Sequence, residues 1–102
     1  AMKKIINGKK YDTTTAKEIA SYSNGLSTRD YGFWCEVLYR KRTGEFFLNG
    51  YGGPASKYSN YCGNWYTSGE KIIPFSVAEA RIWMERHASV EEYESVFGEV
   101  EE

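Results

Sequence analysis

Residues 33–51 read FWCEVLYRKRTGEFFLNGY. Two runs of aromatic and branched residues flank a polar turn that contains Gly44. This pattern is typical of a β-hairpin, because aromatic and branched side chains are enriched in strands and glycine in the turns between them. The predicted hairpin has a strongly basic tip formed by Arg40, Lys41 and Arg42. Three adjacent cations on a turn could contact phosphates, and the alternative interpretation is a solvated turn.

Two further segments indicate β-structure. Residues 3–12 predict a hairpin around Asn7-Gly8, the preferred pair for a type I′ turn. Residues 70–75 predict a short strand, and Pro74 places the end of this strand at a sheet edge or at the exit from the sheet. A short strand is also expected near residues 64–67.

Three helices are predicted from capping boxes, in which a hydroxyl residue is followed by Glu three positions later. The first has N-cap candidates at Thr13 to Thr15, with the capping box at Thr15 and Glu18, and runs through Tyr22 to its end at Asn24-Gly25. The second begins at Ser76 and runs through about Ala88. The third begins at Ser89 and ends at Phe97-Gly98, and the alternative is that the second and third form one broken helix.

These elements predict an α+β fold. We expect a small antiparallel sheet of about four or five strands, with two or three helices packed mainly on one face. At 102 residues the chain is expected to form a single domain, 1–102, with an acidic tail at about 98–102.

The net charge of −1 conceals an uneven distribution. All 13 basic residues lie within residues 1–90, whereas residues 91–102 contain six Glu and no basic residue. A uniform nucleic-acid binder would show a basic excess throughout, so this class is disfavoured. Glu91, Glu92 and Glu94 are candidates for an acidic face that competes for a basic groove on a partner. The alternative is an acidic helix that runs into a solvated tail.

The residues that usually carry catalysis or bind metals are sparse. Cys35 and Cys62 lack the spacing of a disulfide framework or of a metal site. His87 is the only histidine, and its position near a helix C-terminus predicts a surface residue. We therefore expect a protein that is not an enzyme and that has no metal and no cofactor.

Targeting signals are equally sparse in the sequence. No signal peptide is recognised, and no run approaches the ~20 apolar residues of a membrane span. These observations predict a cytoplasmic location and no membrane partner.

Aromatic residues are interleaved with Gly, Ser and Asn between residues 51 and 66. This composition is typical of antibody binding loops, in which Tyr and Trp supply rigid contact area and the small polar residues adapt. Such rings could also stack on unpaired bases, and the alternative is that most of them cover the sheet as core. The Gly50, Gly52 and Gly53 cluster is predicted to form a turn that requires positive φ. The candidate binding residues in this region are Tyr51, Lys57, Tyr58, Tyr61, Trp65 and Tyr66.

The chain also resembles a family of small proteins carried by plasmids and integrative elements of Gram-positive bacteria. The resemblance spans nearly the whole chain and is poorest at residues 58–67. The matching positions are residues 5–9, 11–13, 15–16, 36, 38–40, 43–48, 50, 52–54, 71–74, 92–94 and 97–99.

That family includes anti-CRISPR proteins that act against type II-A (Cas9) systems. The resemblance implies a mobile-element anti-defence protein that binds Cas9, its guide RNA or their complex. The acidic end could occupy a basic nucleic-acid channel, or the aromatic segment and the basic tip could engage RNA or a protein face. The alternative function is a nucleic-acid-binding accessory or regulatory protein of a plasmid or integrative element. A third hypothesis, an enzyme with a Cys nucleophile, has no recognisable motif to support it.

Overall fold

The structure is a computed structural model and describes residues 2–102. Over these residues it contains eight strands and two helices. They are β1 (Lys3–Ile6), β2 (Lys9–Asp12), β3 (Lys17–Ser23), β4 (Trp34–Arg40), β5 (Phe46–Gly52), β6 (Asn60–Tyr61), β7 (Tyr66–Thr67), β8 (Gly69–Phe75), α1 (Val77–His87) and α2 (Val90–Phe97).

A four-stranded antiparallel sheet with the order β3-β4-β5-β8 forms the centre of the fold. The hairpin predicted at residues 33–51 is confirmed as β4 and β5, which pair from Trp34 opposite Gly52 to Arg40 opposite Phe46. The predicted strand at residues 70–75 is confirmed as β8. It lies at an edge of the sheet, where Pro74 is tolerated because an edge strand needs hydrogen bonds on one side only.

Both helices pack on the same face of this sheet, so the predicted α+β class is confirmed. They begin at the predicted capping boxes of Ser76 and Ser89, each with both reciprocal hydrogen bonds formed. Each box satisfies two backbone N–H groups that would otherwise lack partners, that of the Ser and that of the Glu three positions later. The core beneath the helices contains Ala20, Leu38, Phe46, Leu48, Ala80, Trp83 and Met84.

The β1–β2 hairpin covers part of the opposite face. Its turn has φ of 51° at Asn7 and 78° at Gly8, as a type I′ turn requires, so the predicted hairpin is confirmed. Tyr11 contacts Phe47 edge-to-face with ring centroids 5.5 Å apart, and Ile72 completes this second cluster. The central strands are therefore buried on both faces.

The helix predicted for residues 15–22 is wrong, because residues 17–23 form β3. The backbone N–H of Ala16 donates to the carbonyl of Asp12, which closes one helical turn that does not continue. A helix of about eight residues is marginal by itself. Pairing with β4 instead gives every residue from Lys17 to Ser23 except the bulged Ile19 a strand partner. Sheet pairing therefore outweighs the local capping signal.

The cluster of Gly50, Gly52 and Gly53 is not a positive-φ turn, so that prediction is also wrong. None of the three is among the glycines with positive φ, and two of them lie within β5. These glycines are required for close approach. A Cβ at Gly50 would overlap the Tyr58 ring, and one at Gly52 would overlap the side chain of Ser56. The segment after β5 therefore folds back directly onto the strand.

Candidate interaction surface

Strands β6 and β7 form a small hairpin that carries three exposed aromatic residues. We call residues 60–67 the aromatic hairpin. Tyr61 lies opposite Tyr66 with ring centroids 5.1 Å apart, and cross-strand aromatic pairs of this kind stabilise a sheet by about 0.2–1 kcal/mol. The strand expected near residues 64–67 is thus confirmed as β7.

The turn of the aromatic hairpin is short and well defined. The backbone N–H of Cys62 donates to the carbonyl of Trp65 across 2.7 Å, which leaves Gly63 and Asn64 as a two-residue loop. Gly63 has φ of 85° whereas Asn64 has no positive φ, the pattern of a type II′ turn. The Tyr61 hydroxyl also donates to the Gly63 carbonyl. The turn sets Tyr61 opposite Tyr66 and leaves Trp65 beside them, at the turn itself.

The rings of the aromatic hairpin are open to solvent. Tyr61 is 64% exposed, Trp65 59% and Tyr66 58%. Residues 58–69 contain no Asp, Glu, Lys, Arg or His. Exposed aromatic residues that are clustered and uncharged are enriched in the cores of protein–protein interfaces.

Tyr51 lies on β5, outside the aromatic hairpin and next to the residues at its two ends. Its side chain lines a shallow depression of about 790 Å³ together with Asn60, the first residue of the aromatic hairpin, and Ser68, which follows the hairpin. The ring is 38% exposed and lies 6.3 Å from that of Phe33. Tyr51 is thus an accessible neighbour of the aromatic hairpin.

Tyr58 is a predicted binding residue that the structure buries. Only 4% of the residue is exposed, and its ring lies over Gly50. Its hydroxyl donates to the carboxylate of Glu36. Tyr58 is therefore a core residue that anchors the segment between β5 and β6, because glycine at position 50 leaves room for its ring.

The carboxylate of Glu36 is the centre of a buried polar network. The indole N–H of Trp83 donates to its Oε1 across 2.9 Å, and Lys57 Nζ lies 2.9 Å from Oε2. With the hydrogen bond from Tyr58, both oxygens are satisfied. Although burial raises the pKa of Glu36, the three donors outweigh it and hold the pKa below 4.5.

The partners of Glu36 respond to the same charge. Burial and the bond to the ionised carboxylate raise the pKa of the Tyr58 hydroxyl, so it remains a donor. Lys57 Nζ also lies 4.1 Å from the centre of the Trp34 ring. Although its side chain is 54% exposed, Lys57 is committed to these two contacts. It is therefore less available to an external phosphate than its position in the sequence implies.

Glu36 and Trp83 were not identified from the sequence as a functional pair. The sequence did carry one relevant signal, because every second side chain of a strand points to the same face. Trp34, Glu36 and Leu38 therefore all point to the face of β4 that the helices cover. A charged residue at a core-facing position predicts a buried partner. The partners come from distant segments, and no local pattern identifies them.

The basic tip is only partly available to a ligand. Lys41 Nζ lies 3.5 Å from the Glu45 carboxylate and 3.7 Å from the centre of the Tyr11 ring, with 14% of its side chain exposed. Arg40 donates to the carbonyl of Gly44 and lies over Phe46, although it remains exposed. Arg42 is exposed. Of the three cations predicted as candidate phosphate contacts, Lys41 is the one that the structure pairs internally, with Glu45 and Tyr11.

The predicted acidic face is divided between capping and solvent. The side chain of Glu92 accepts the Ser89 N–H as part of the capping box. The side chain of Glu94 accepts the N–H of Val100 across 3.0 Å. Glu91 is exposed in the first turn of α2, where its charge is favourable to the helix dipole. Two of the three carboxylates therefore stabilise α2 and the start of the tail.

His87 is half-buried, which corrects its prediction as a surface residue. Its ring stacks on Tyr22 with centroids 4.0 Å apart and meets the edge of Trp83 at 5.2 Å. The buried Nδ1 has no hydrogen-bond partner among the described residues. Burial lowers the pKa of His87 below 6.5; the charges of Lys57 and Arg86 act in the same direction, whereas that of Glu36 opposes them.

The remaining chemistry is limited. Both cysteines are free, with Cys35 half-buried and Cys62 exposed. Within residues 2–102 no group of three or more His, Cys, Asp or Glu side chains could hold a metal ion. No helix in this part of the chain is long and apolar enough to cross a membrane.

Scans against protein-family models, curated proteins and solved structures each found no match to this chain.

Proposed function

We propose that this protein binds a protein partner through the aromatic hairpin. The observation that carries the proposal is the exposure of Tyr61, Trp65 and Tyr66 together on one short hairpin. Burying an aromatic side chain that is already held in place gains contact area at little cost in side-chain entropy. Trp and Tyr are also the residues most often found at interface hot spots.

The absence of charge in residues 58–69 favours a protein over a nucleic acid as the partner. Proteins that bind single-stranded nucleic acids combine stacking rings with a positively charged groove. Lys57, the nearest cation in sequence, is paired with Glu36. The hairpin therefore has the rings of such a surface without its charge.

For the identity of the partner we propose Cas9 or the Cas9–guide RNA complex. The basis is the sequence resemblance to mobile-element proteins that include anti-CRISPR proteins. Under this proposal the chain is an anti-defence protein that lowers Cas9-type interference by occupying a face of the effector protein. A complex formed only through guide RNA is the alternative outcome of the test.

The test is a pull-down of the tagged protein from a bacterial lysate that contains Cas9 and its guide, with and without nuclease. The variant combines Tyr61→Ala, Trp65→Ala and Tyr66→Ala. Tyr31→Ala is the matched control, because Tyr31 is 74% exposed and lies outside the hairpin. We expect Cas9 to co-purify with the wild type and with the control after nuclease treatment, and not with the triple variant.

Two results would contradict the proposal. Loss of Cas9 on nuclease treatment would indicate a complex held by RNA. Retention of Cas9 by the triple variant would exclude the aromatic hairpin as the contact. A circular dichroism spectrum of each variant checks that it remains folded.

We further propose that the protein acts by binding and not by catalysis. The buried carboxylate of Glu36 is fully occupied by Lys57, Tyr58 and Trp83, so its arrangement is that of a structural anchor. We expect the double substitution of Cys35 and Cys62 by Ser to leave inhibition of Cas9 interference unchanged in a plasmid-clearance assay. Loss of inhibition in a folded double variant would support a Cys nucleophile.

A nucleic-acid-binding accessory protein is the second candidate function. Lys17, Arg40 and Arg42 are exposed and line one shallow depression of about 320 Å³, and this observation favours it. This function predicts affinity for DNA or RNA alone that falls steeply with salt, because each phosphate contact releases counterions. An electrophoretic mobility assay of the wild type and of Arg40→Gln with Arg42→Gln distinguishes the two functions.

A further inference from the structure

Helix α1 covers the helix-side face of β8 only in part, since Phe75 packs against the core beneath the helices whereas Ile73 is 36% exposed. The helix begins directly after β8 and crosses the sheet toward β3, where His87 stacks on Tyr22. A groove of about 520 Å³ remains between α1 and β8. Leu48 of β5 is at its floor, and the Glu36 network closes one end. The groove is further lined by Glu79, Ile82 and Arg86 from α1 and by Lys71, Ile73 and Phe75 from β8.

The groove borders a free strand edge. β8 is the last strand of the order β3-β4-β5-β8, so within residues 2–102 no strand pairs with its outer side. In an antiparallel strand alternate residues point their backbone groups to the same side. Pro74 has no N–H to donate to β5, from which we infer that Pro74, and with it Ile72 and Glu70, direct their backbone groups to the side without a partner strand. An added strand could pair with these groups.

The charges around the groove are unbalanced in favour of cations. Lys71 and Arg86 are exposed and form no salt bridge within the described residues. Glu36 is paired with Lys57, whereas Glu79 accepts the Ser76 N–H and keeps its charge, so that three cations and two carboxylates line the groove. Apolar contact is available beside these charges, because Ile73 is 36% exposed and Ile82 50%.

We propose that the β8 edge and this groove bind an extended, acidic peptide strand of a partner protein. The peptide backbone pairs with Glu70 and Ile72, and an aliphatic side chain enters the groove against Ile73. Its flanking carboxylates meet Lys71 and Arg86. In strand addition of this kind the main chain supplies affinity and alternate side chains supply specificity. The proposal rests on residues outside the aromatic hairpin and stands apart from the function proposed above.

The experiment uses fluorescence polarisation of a labelled peptide with the sequence Thr-Glu-Thr-Leu-Thr-Glu-Thr and blocked ends. One control peptide replaces both Glu with Lys, and a second carries N-methyl groups on alternate residues so that it cannot pair as a strand. The protein variants are Lys71→Glu combined with Arg86→Glu, and Arg42→Glu as a control cation outside the groove. Hydrogen exchange of the Glu70 and Ile72 amides is followed with and without peptide.

We expect the acidic peptide to bind the wild type and the Arg42→Glu variant equally, and to slow exchange at Ile72. The double charge reversal should weaken binding by at least about tenfold, because two favourable pairs become repulsive. The Lys-containing and N-methylated peptides should not bind. Equal binding of any control peptide, unaltered binding to the double variant, or no binding of the acidic peptide would overturn the proposal.

Discussion

The indole N–H of Trp83 donates a 2.9 Å hydrogen bond to Glu36, and this contact joins α1 to the centre of the sheet. The same carboxylate accepts the Tyr58 hydroxyl and pairs with Lys57. One side chain of β4 therefore fixes both the helix that covers the sheet and the segment that leads to the aromatic hairpin. A hairpin that carries exposed rings needs such an anchor, because an isolated two-stranded hairpin is marginally stable in water.

The first prediction concerns the loss of that carboxylate. Glu36→Leu removes the acceptor for Tyr58 and Trp83 and leaves two buried donors without a partner. We expect the free energy of unfolding to fall by about 2–6 kcal/mol, since each of the two buried donors left without a partner costs about 1–3 kcal/mol. Urea unfolding followed by tryptophan fluorescence measures the change.

Glu45→Gln is the matched control for Glu36→Leu. Glu45 also pairs with lysines, but its side chain is 37% exposed on a turn. Surface ion pairs contribute at most about 1 kcal/mol, so the control should remain close to the wild type. A similar loss of unfolding free energy in the two variants would show that the buried Glu36 network contributes no more to stability than an exposed ion pair does.

The second prediction tests the contact between Gly50 and Tyr58. Gly50→Ala places a methyl group in the space of the Tyr58 ring, and we expect a loss of about 1–3 kcal/mol from overpacking. Once Tyr58→Ala has removed the ring, the added methyl group should cost far less. The double-mutant cycle should therefore give a coupling energy of at least about 0.5 kcal/mol.

Gly32→Ala provides the control for the second prediction. A Cβ at Gly32 would meet nothing closer than 3.4 Å, and Gly32 has no positive φ. Its substitution should therefore alter stability far less than Gly50→Ala. Additive effects of Gly50→Ala and Tyr58→Ala would contradict the proposed close contact.

The third prediction follows from the environment of His87. Because its pKa is lowered by burial, the unfolded chain takes up a proton at a higher pH than the folded chain does. The neutral ring therefore contributes stability that is complete above pH 6.5 and is lost as the pH falls through the lowered pKa of the folded state. We expect the urea midpoint to decrease between pH 7.5 and 5.5.

Because His87 is the only histidine of the chain, a change of the urea midpoint between pH 7.5 and 5.5 can be assigned to it. His87→Phe keeps an aromatic ring against Tyr22 and removes the titrating group. Its urea midpoint should be nearly constant over the same pH range. The Glu36 carboxylate does not interfere, because its lowered pKa places its own loss of stability below pH 4.5. An unchanged slope in His87→Phe would assign the effect to another group.

The elements predicted correctly are those whose signals are local. Asn7-Gly8 selects a type I′ turn, and Ser76 and Ser89 each form a capping box with the Glu three residues later. Thr15 and Glu18 show the same local pattern, yet they belong to a turn and a strand. The difference arises from β4, whose free side gains a partner when residues 17–23 are extended. This long-range gain leaves no trace in the local sequence.

The candidate site shows the same division. The composition of residues 51–66 correctly identified exposed rings at Tyr61, Trp65 and Tyr66. It did not distinguish them from Tyr58, which has similar neighbours in sequence but lies over Gly50. Glycine spacing alone does not reveal whether a missing side chain permits positive φ or close approach. For Gly50, the two cases are distinguished only by the Tyr58 ring, which packs over the glycine in the folded chain.

The last prediction concerns the energetics of binding by the aromatic hairpin, on the proposed function. Trp65→Ala should weaken the complex with the protein partner by at least about 2 kcal/mol, as truncation of a hot-spot residue does. Tyr31→Ala should have little effect, because that ring is exposed elsewhere. Isothermal titration calorimetry of both variants against purified Cas9–guide complex measures the difference.

The salt dependence of the same titration identifies the kind of contact. Because residues 58–69 carry no charge, few counterions are released when the aromatic hairpin binds. The affinity should therefore change by less than about tenfold between 50 and 200 mM salt, whereas six to ten phosphate contacts would reduce it by about 10³–10⁵ over that range. A steep decrease that Arg40→Gln and Arg42→Gln abolish would place the contact at the basic tip and make nucleic acid the partner.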